Sequence, residues 1–198
     1  MSQKKRVLNV GGGHEAIRLP PQYAEFQVLR LDIDPAIHPD VLCDARELTT
    51  LAGGQFDAIY CAHNLEHYYK HEVPKVLAGF LHVLKDDGFV QLIVPDIAEV
   101  MRICIERGLD VEDVLYTSAA GPITVRDVLW GWSVEIERSR HDFFAHKTGF
   151  SPKSLAAAVQ AAGFGKWFQA SGNYEVHVLA FKTQPPAATL ALFGLPNV

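Results

Sequence analysis

Three sets of residues have the types and spacing for chemistry. The first is Gly11-Gly12-Gly13, which ends the apolar run Val7-Leu8-Asn9-Val10. Glycine tolerates positive φ and lets another group approach the backbone closely. A strand opening into glycines at the start of an α/β chain reads as a cofactor loop. The loop is not GxGxxG, which would need glycine at His14 or Ala16, and no Gly-Lys-Ser/Thr of a P-loop follows. A tight turn that binds nothing is the competing reading.

The second set is acidic. Asp32 or Asp34, Asp44 and Asp96 sit just past three predicted strand ends. In an open parallel sheet, ligands bind beyond the carboxyl ends of the strands. A carboxylate about 20 residues after a glycine loop suits a ribose diol, and Asp32 lies 21 positions after Gly11. Loops are also rich in Asp for turn-forming reasons alone.

The third set holds histidines. His63-Asn64-Leu65-Glu66-His67 spells HxxEH, a zinc-protease pattern that needs a helix and a third ligand. Here it follows a buried strand, so no metal is expected. Glu66 and His67 either cap and orient the loop or act in catalysis. His141, Asp142 and His146 form another polar cluster beside Phe143 and Phe144. They either deprotonate an acceptor or are surface histidines.

The elements that position these residues alternate. Apolar runs at 7–10, 26–33, 40–43, 56–62 and 89–94 read as strands. A short helix fits between His14 and Pro20-Pro21. Val73, Val76, Leu77, Phe80, Leu81 and Leu84 recur at helical spacing, closed by Asp86-Asp87-Gly88. Such alternation gives right-handed βαβ units and a parallel sheet.

Residues 97–150 break the alternation and are expected to be a helical insert. Ile97, Val100, Met101 and Cys104 mark one helix, and Gly121-Pro122 a break. Thr124 with Asp127 forms a capping box for a second helix. Its apolar face is Val125, Val128, Leu129, Trp132 and Ile136, which places Trp132 in the core and turns Trp130 toward the pocket. Ser151-Pro152 starts a third helix that Gly163 ends. Residues 167–170 and 176–181 read as a closing antiparallel pair across Gly172-Asn173. The tail from Gln184 has three prolines in 15 residues. It is expected to be poorly ordered or docked on a partner chain.

A chain of 198 residues that is 48% hydrophobic gives one domain with a full core, or a domain with a small cap. A net charge of −5 argues against a general nucleic-acid footprint. Cys43, Cys61 and Cys104 contain no CxxC and read as core residues in a reducing compartment. With no signal peptide and no 18-residue apolar run, a cytoplasmic protein without membrane partner is expected.

Four blocks together resemble a class I S-adenosylmethionine-dependent methyltransferase over residues 5–96: RVLNVGGG, LDID, LCDARELTTLAGGQFDAIYCAHNLEHY and VLKDDGFVQLIVPD. HKTGFSPKSLAAAVQAAGF resembles the small bacterial branch that carries an LEH motif. The resemblance implies a Rossmann-like fold, mostly parallel, with a C-terminal antiparallel pair. It implies S-adenosylmethionine as cofactor, with Gly11 and Gly13 under the methionine part and Asp32 on the ribose. It further implies Asp44 at the adenine amino group with the Ala45 backbone near the ring, and His63 and Asn64 flanking the sulfonium and the acceptor. Asn9 replaces the acid common in the first motif, so it would meet the cofactor ammonium through an amide. Glu15 stands where the third glycine usually is.

The expected architecture is one domain over 1–183, lidded by 97–150, with a tail at 184–198. The expected reaction is methyl transfer to a hydroxyl or amine of a small molecule, of the sugar or secondary-metabolite kind. His63, His67, His141 and His146 are the candidate bases, since a hydroxyl acceptor must lose a proton and histidine titrates near neutral pH. A homodimer is compatible with this reading. Two alternatives stay open: a methyltransferase-like protein that binds cofactor without catalysis, and a nicotinamide-dependent oxidoreductase, against which the missing GxGxxG counts.

Overall fold

The computed structural model describes residues 4–13, 18–119 and 121–196. Its centre is β1 (Arg6–Val10), the apolar run before the glycines. β2 (Gln27–Asp32), β3 (Val41–Leu42), β4 (Phe56–Ala62) and β5 (Leu84–Pro95) follow it. β8 (Lys166–Gly172) and β9 (Glu175–Phe181) close the sheet in the order β3-β2-β1-β4-β5-β9-β8. Strands β1 to β5 pair in parallel, while β9 runs antiparallel to both β5 and β8. The strand order reverses at β1 and β4, so the crevice for a ligand opens above their carboxyl ends.

Alternation along β1 separates two apolar layers. Leu8 and Val10 face the larger core, covered by α1 (Val73–Val83) and α5 (Pro152–Ala162). The expected capping box of α5 is present between Ser151 and Ser154, with Pro152 at the first helical position. Val7 faces a thinner layer with Tyr23, Phe26, Ala58, Phe89 and Phe181. Between β1 and β2 the described residues give that layer only one 3-10 turn, Pro21–Tyr23. Of the helix expected between His14 and Pro20, residues 14–17 lie outside the described residues, and Arg18 and Leu19 are not helical.

The tail corrects its expectation. It forms α6 (Ala187–Leu192) and packs on its own sheet, with Leu190 only 2% exposed. The ring of Phe193 lies edge-on to Phe89 at 5.4 Å. The physical reason is the thin layer: Phe89 and Phe181 need a cover, and the tail's apolar residues supply one.

Two element ends also differ. α1 stops at Leu84, whose extended backbone already pairs with Phe56, so Asp86-Asp87-Gly88 lie inside β5 at a register shift. The closing turn falls at Asn173 and Tyr174, both with positive φ, one residue later than expected.

The insert is not wholly helical. α2 (Ile97–Arg107) is followed by a hairpin of β6 (Val114–Ser118) and β7 (Gly121–Thr124). The single helix expected after Thr124 is two, α3 (Val125–Trp130) and α4 (Ser133–Ser139). Gly131 separates them at φ +101°, where a Cβ would meet the Phe144 carbonyl oxygen at 2.0 Å. The return strand of the insert passes too close for any side chain. Trp132 is consequently 39% exposed rather than core. Val100, Ile103, Leu115, Val125 and Val128 give the insert a small core of its own.

Candidate active site

The glycine loop is built against two asparagines. The Gly11 N–H donates to the Leu31 carbonyl at 2.9 Å, which ties the loop to β2. Gly11 and Gly13 have φ of +65° and +56°. A Cβ on Gly11 would lie 2.2 Å from Asn64 Nδ2, and one on Gly12 would lie 2.6 Å from Asn9 Nδ2. Asn9 is buried beneath the loop. Among the described residues, Asn64 Oδ1 is buried without a hydrogen-bond partner.

The acids divide. Asp32, at the end of β2, is half-buried and accepts from the Asp34 N–H at 3.0 Å. Asp34 caps the turn Pro35–Ile37, and buried Asp96 caps α2 by accepting from Glu99 N–H. Asp44 caps the turn Ala45–Thr50 and accepts from the Arg46 guanidinium at 3.0 and 2.6 Å. Burial opposes the Asp44 charge, but the hydrogen bonds from Arg46 outweigh it and hold the carboxyl below its usual range. Ile33, Asp44, Asn64, His67, Tyr68 and Tyr69 line a cavity of about 300 Å³ beyond these strand ends.

The HxxEH segment is a strand exit. His63 has φ +49°, sparsely populated for a non-glycine residue, and its N–H donates to the Ile93 carbonyl at 2.9 Å. Leu65–His67 is a 3-10 turn rather than an α-helix. His67 Nε2 therefore sits 3.1 Å from the His63 carbonyl, and Nδ1 3.0 Å from the Ala145 carbonyl. The Glu66 carbonyl accepts from the N–H groups of Lys147 and Thr148 at 2.8 and 3.1 Å. These bonds fasten the end of the insert to the turn after β4. They bring in His146, whose Nδ1 donates to the Val128 carbonyl at 2.9 Å.

At the centre is the Glu66 carboxylate, 1% exposed. His63 Nδ1 approaches it at 3.6 Å and His146 Nε2 at 4.0 Å, both beyond hydrogen-bond range. His63 Nε2 also pairs with Glu175 at 2.9 Å, whose second oxygen takes His177. Burial would lower the His63 pKa, but the bonds to Glu175 and the nearby Glu66 charge push it up to about 10. Burial would raise Glu66, yet His63 beside it brings it below the usual range. His146 moves down, chiefly because burial disfavours the imidazolium. A second cavity of about 140 Å³ is lined by His63, His146, Tyr116, Trp132, Tyr174 and Glu175. The rings of Tyr116 and Tyr174 stack at 5.4 Å and 11°.

The expected His141-Asp142-His146 cluster is split. His141 is exposed and stacks on Phe143, while Asp142 pairs with Lys147 at 3.0 Å. The tryptophan assignment reverses as well. Trp130 is 50% exposed with Arg126 over its ring, and Trp132 lines the cavity. Glu175 and Tyr174 were not singled out in the sequence. Glu175 begins a strand, and Tyr116 and Tyr174 lie in the hairpin and the β8–β9 turn, so no local pattern connects them. A larger cavity of about 630 Å³ lies along Asn9, Tyr23, Val28 and Arg30 on the thin layer, apart from the histidine cluster.

Residues 8–92, which hold the glycine loop, the strand-end acids and the HxxEH turn, match the family model described as methyltransferase domain. The matched stretch, 85 of the 198 residues, is thus similar to a methyltransferase domain. Solved methyltransferases share its fold. An S-adenosylmethionine-dependent methyltransferase of Methanosarcina mazei is 14% identical, with a TM-score of 0.57 over 92% of this chain and 95% of that one. One of Archaeoglobus fulgidus is 13% identical, with a TM-score of 0.54 over 89% and 86%. Magnesium protoporphyrin IX methyltransferase of Synechocystis PCC 6803, solved with S-adenosylhomocysteine, is 16% identical, with a TM-score of 0.53 over 91% and 75%. No curated protein sequence matches the chain significantly. Among the described residues, no helix is long and apolar enough to cross a membrane.

The Synechocystis enzyme holds S-adenosylhomocysteine, which sets S-adenosylmethionine as the group to test against this chain. The residues present fit it. Two glycines with positive φ bring the loop backbone into the crevice, a carboxylate stands at the end of β2, and the orphaned Asn64 Oδ1 flanks the loop.

Proposed function

We propose that the chain is an S-adenosylmethionine-dependent methyltransferase acting on an oxygen or nitrogen of a small molecule held in the cavity under the insert. Gly11 and Gly13 would underlie the methionine part of the cofactor, with Asn9 as the amide below it. Asp32 would hold the ribose hydroxyls, and Asp44 with the Ala45 backbone would meet the adenine. When bound, the cofactor supplies a methyl group activated by the positive sulfonium. The chain's task is then in-line placement and exclusion of water.

One observation carries this reading. The cavity over the strand ends includes His67, the cavity under the insert includes His63 and His146, and buried Glu66 lies between them. The cavity under the insert is worth only a few water volumes of about 30 Å³ each. It suits the reacting end of a small molecule of the sugar or secondary-metabolite kind, with the remainder toward the opening.

The histidines take different parts. His63 is an imidazolium at neutral pH and supplies charge rather than a proton acceptor. His67 is held on two carbonyls and orients the turn. His146 keeps its proton on Nδ1 toward Val128, so Nε2 presents a lone pair to the cavity side. A hydroxyl acceptor would lose its proton there.

The test is calorimetric titration with S-adenosylhomocysteine and NAD, then turnover over a panel of hydroxyl and amine acceptors. Binding of the first ligand with turnover is expected. Binding without turnover across the panel would favour a non-catalytic binder. Preference for NAD would overturn the reading.

A further inference from the structure

We propose that Glu66, His67 and His146 bind one divalent transition-metal ion of the zinc class. One ligand atom from each lies within 4.8 Å of the others. The independent observation is the Glu66 carboxylate. It is 1% exposed, His63 faces it only at 3.6 Å, and among the described residues neither oxygen has a hydrogen-bond partner. Burying a charge without such bonds is expensive, and such groups are normally paired or coordinate a metal.

The histidines are held as metal ligands are held. His146 Nδ1 donates to the Val128 carbonyl, which fixes the tautomer and frees Nε2, 4.0 Å from Glu66 Oε1. His67 has a backbone carbonyl at each ring nitrogen, so it can keep one and offer the other. Two imidazoles and a carboxylate, with a fourth position open, form a catalytic zinc donor set. Ligand atoms around a tetrahedral zinc stand about 3.4 Å apart at its usual bond lengths. The three side chains would therefore draw in by about 1 Å, and His67 would exchange one carbonyl for the ion.

The proposal departs from the expectation of no metal, which was drawn from the segment's place at a strand exit. The sequence pairs His63 with His67, but the 3-10 turn sets His67 against the His63 carbonyl. The third ligand comes from the far end of the insert. Without an ion, His67 keeps a backbone carbonyl at each ring nitrogen. With one, the His146 lone pair serves as a ligand rather than a base. Given the proposed acceptor cavity, the ion would stand at its wall and polarise an acceptor hydroxyl.

The test uses the untagged full chain stripped with chelator, titrated with Zn²⁺ alone by calorimetry and with Co²⁺ alone by absorption. One ion per chain is expected, with the visible bands of four- or five-coordinate Co²⁺. Glu66→Gln and His146→Gln should each weaken binding at least about 100-fold, since loss of mere supporting bonds around a ligand already costs about 10–100-fold. Both should melt cooperatively and hold S-adenosylhomocysteine with near-native affinity. His146 lies in the insert, so its variant carries the test if Glu66→Gln does not fold. No stoichiometric ion, or equal affinity in wild type and His146→Gln, would overturn the metal site. Cofactor binding and turnover in chelator would leave the methyl-transfer reading standing without it. An ion bound without cofactor affinity would do the reverse.

Discussion

Gly11 and Asn64 approach so closely that a Cβ on Gly11 would lie 2.2 Å from Asn64 Nδ2. The loop after β1 and the exit of β4 are therefore one construction. Gly11→Ala must displace Asn64 and also occupy φ +65°, which costs an L-residue roughly 1–2 kcal/mol. We expect at least about tenfold weaker S-adenosylhomocysteine binding, since 1.4 kcal/mol is a factor of ten. Unchanged affinity by calorimetry would take the loop out of the cofactor site.

Asp32 stands at the end of β2 with an oxygen already accepting from Asp34. A ribose diol would add two charge-assisted hydrogen bonds at roughly 1.5–3 kcal/mol each at most. Asp32→Ala should weaken cofactor binding at least about tenfold, allowing for solvation of the partly exposed site. A titration matching wild type would remove Asp32 from the site and bring Asp34 forward.

Trp132 lines the cavity under the insert and makes no part of the glycine loop. Trp132→Ala should raise the acceptor KM several-fold, as loss of an aromatic contact worth roughly 0.5–1.5 kcal/mol would do. The affinity for S-adenosylhomocysteine should stay unchanged. A parallel loss of both would mean that the insert supports the cofactor site instead.

Asp44 couples Arg46 to the turn before β4. Its pKa in the folded chain lies below the usual carboxylate range: burial opposes the charge, and the Arg46 hydrogen bonds prevail. A depressed carboxyl contributes stability that is present above its unfolded pKa, near 3.9, and is lost as pH falls through the lower folded value. Asp44→Ala should thus cost roughly 1 kcal/mol at neutral pH through the lost cap. The gap to wild type should close below about pH 4 in urea titrations. A gap that persists undiminished in acid would assign the loss to packing.

Leu190 is the tail's buried anchor on the thin layer, 2% exposed beside Phe193. Leu190→Ala should destabilise the chain by about 2 kcal/mol or somewhat more in urea, the lower end for a core leucine because a short tail can settle. Cofactor affinity at 25 °C should be unaffected, since the tail packs on the layer of Val7 and Phe89. No change in the unfolding midpoint would mean that the tail does not hold to the sheet in solution.

Local pattern was sufficient for much of this protein. Apolar runs mark the parallel strands, and the central ones, β1 and β4, are the most apolar because helices and tail cover both their faces. The Thr124 and Ser151 caps, the Pro152 start and the Gly163 stop are written in adjacent residues, because capping is a bond over three positions. The placement of Gly11, Asp32 and Asp44 at strand ends follows from the same rhythm. What only the tertiary structure decided involves residues far apart in the chain. Gly131 must be glycine because residue 144 passes it, and that splits the helix and turns Trp132 to the cavity. The tail finds its place because the layer over Phe89 is thin. Glu66 meets His146 across 80 residues because two backbone N–H groups at 147 and 148 bind its carbonyl. Side-chain periodicity records which face of an element is buried, but carries no term for which distant segment will cover it.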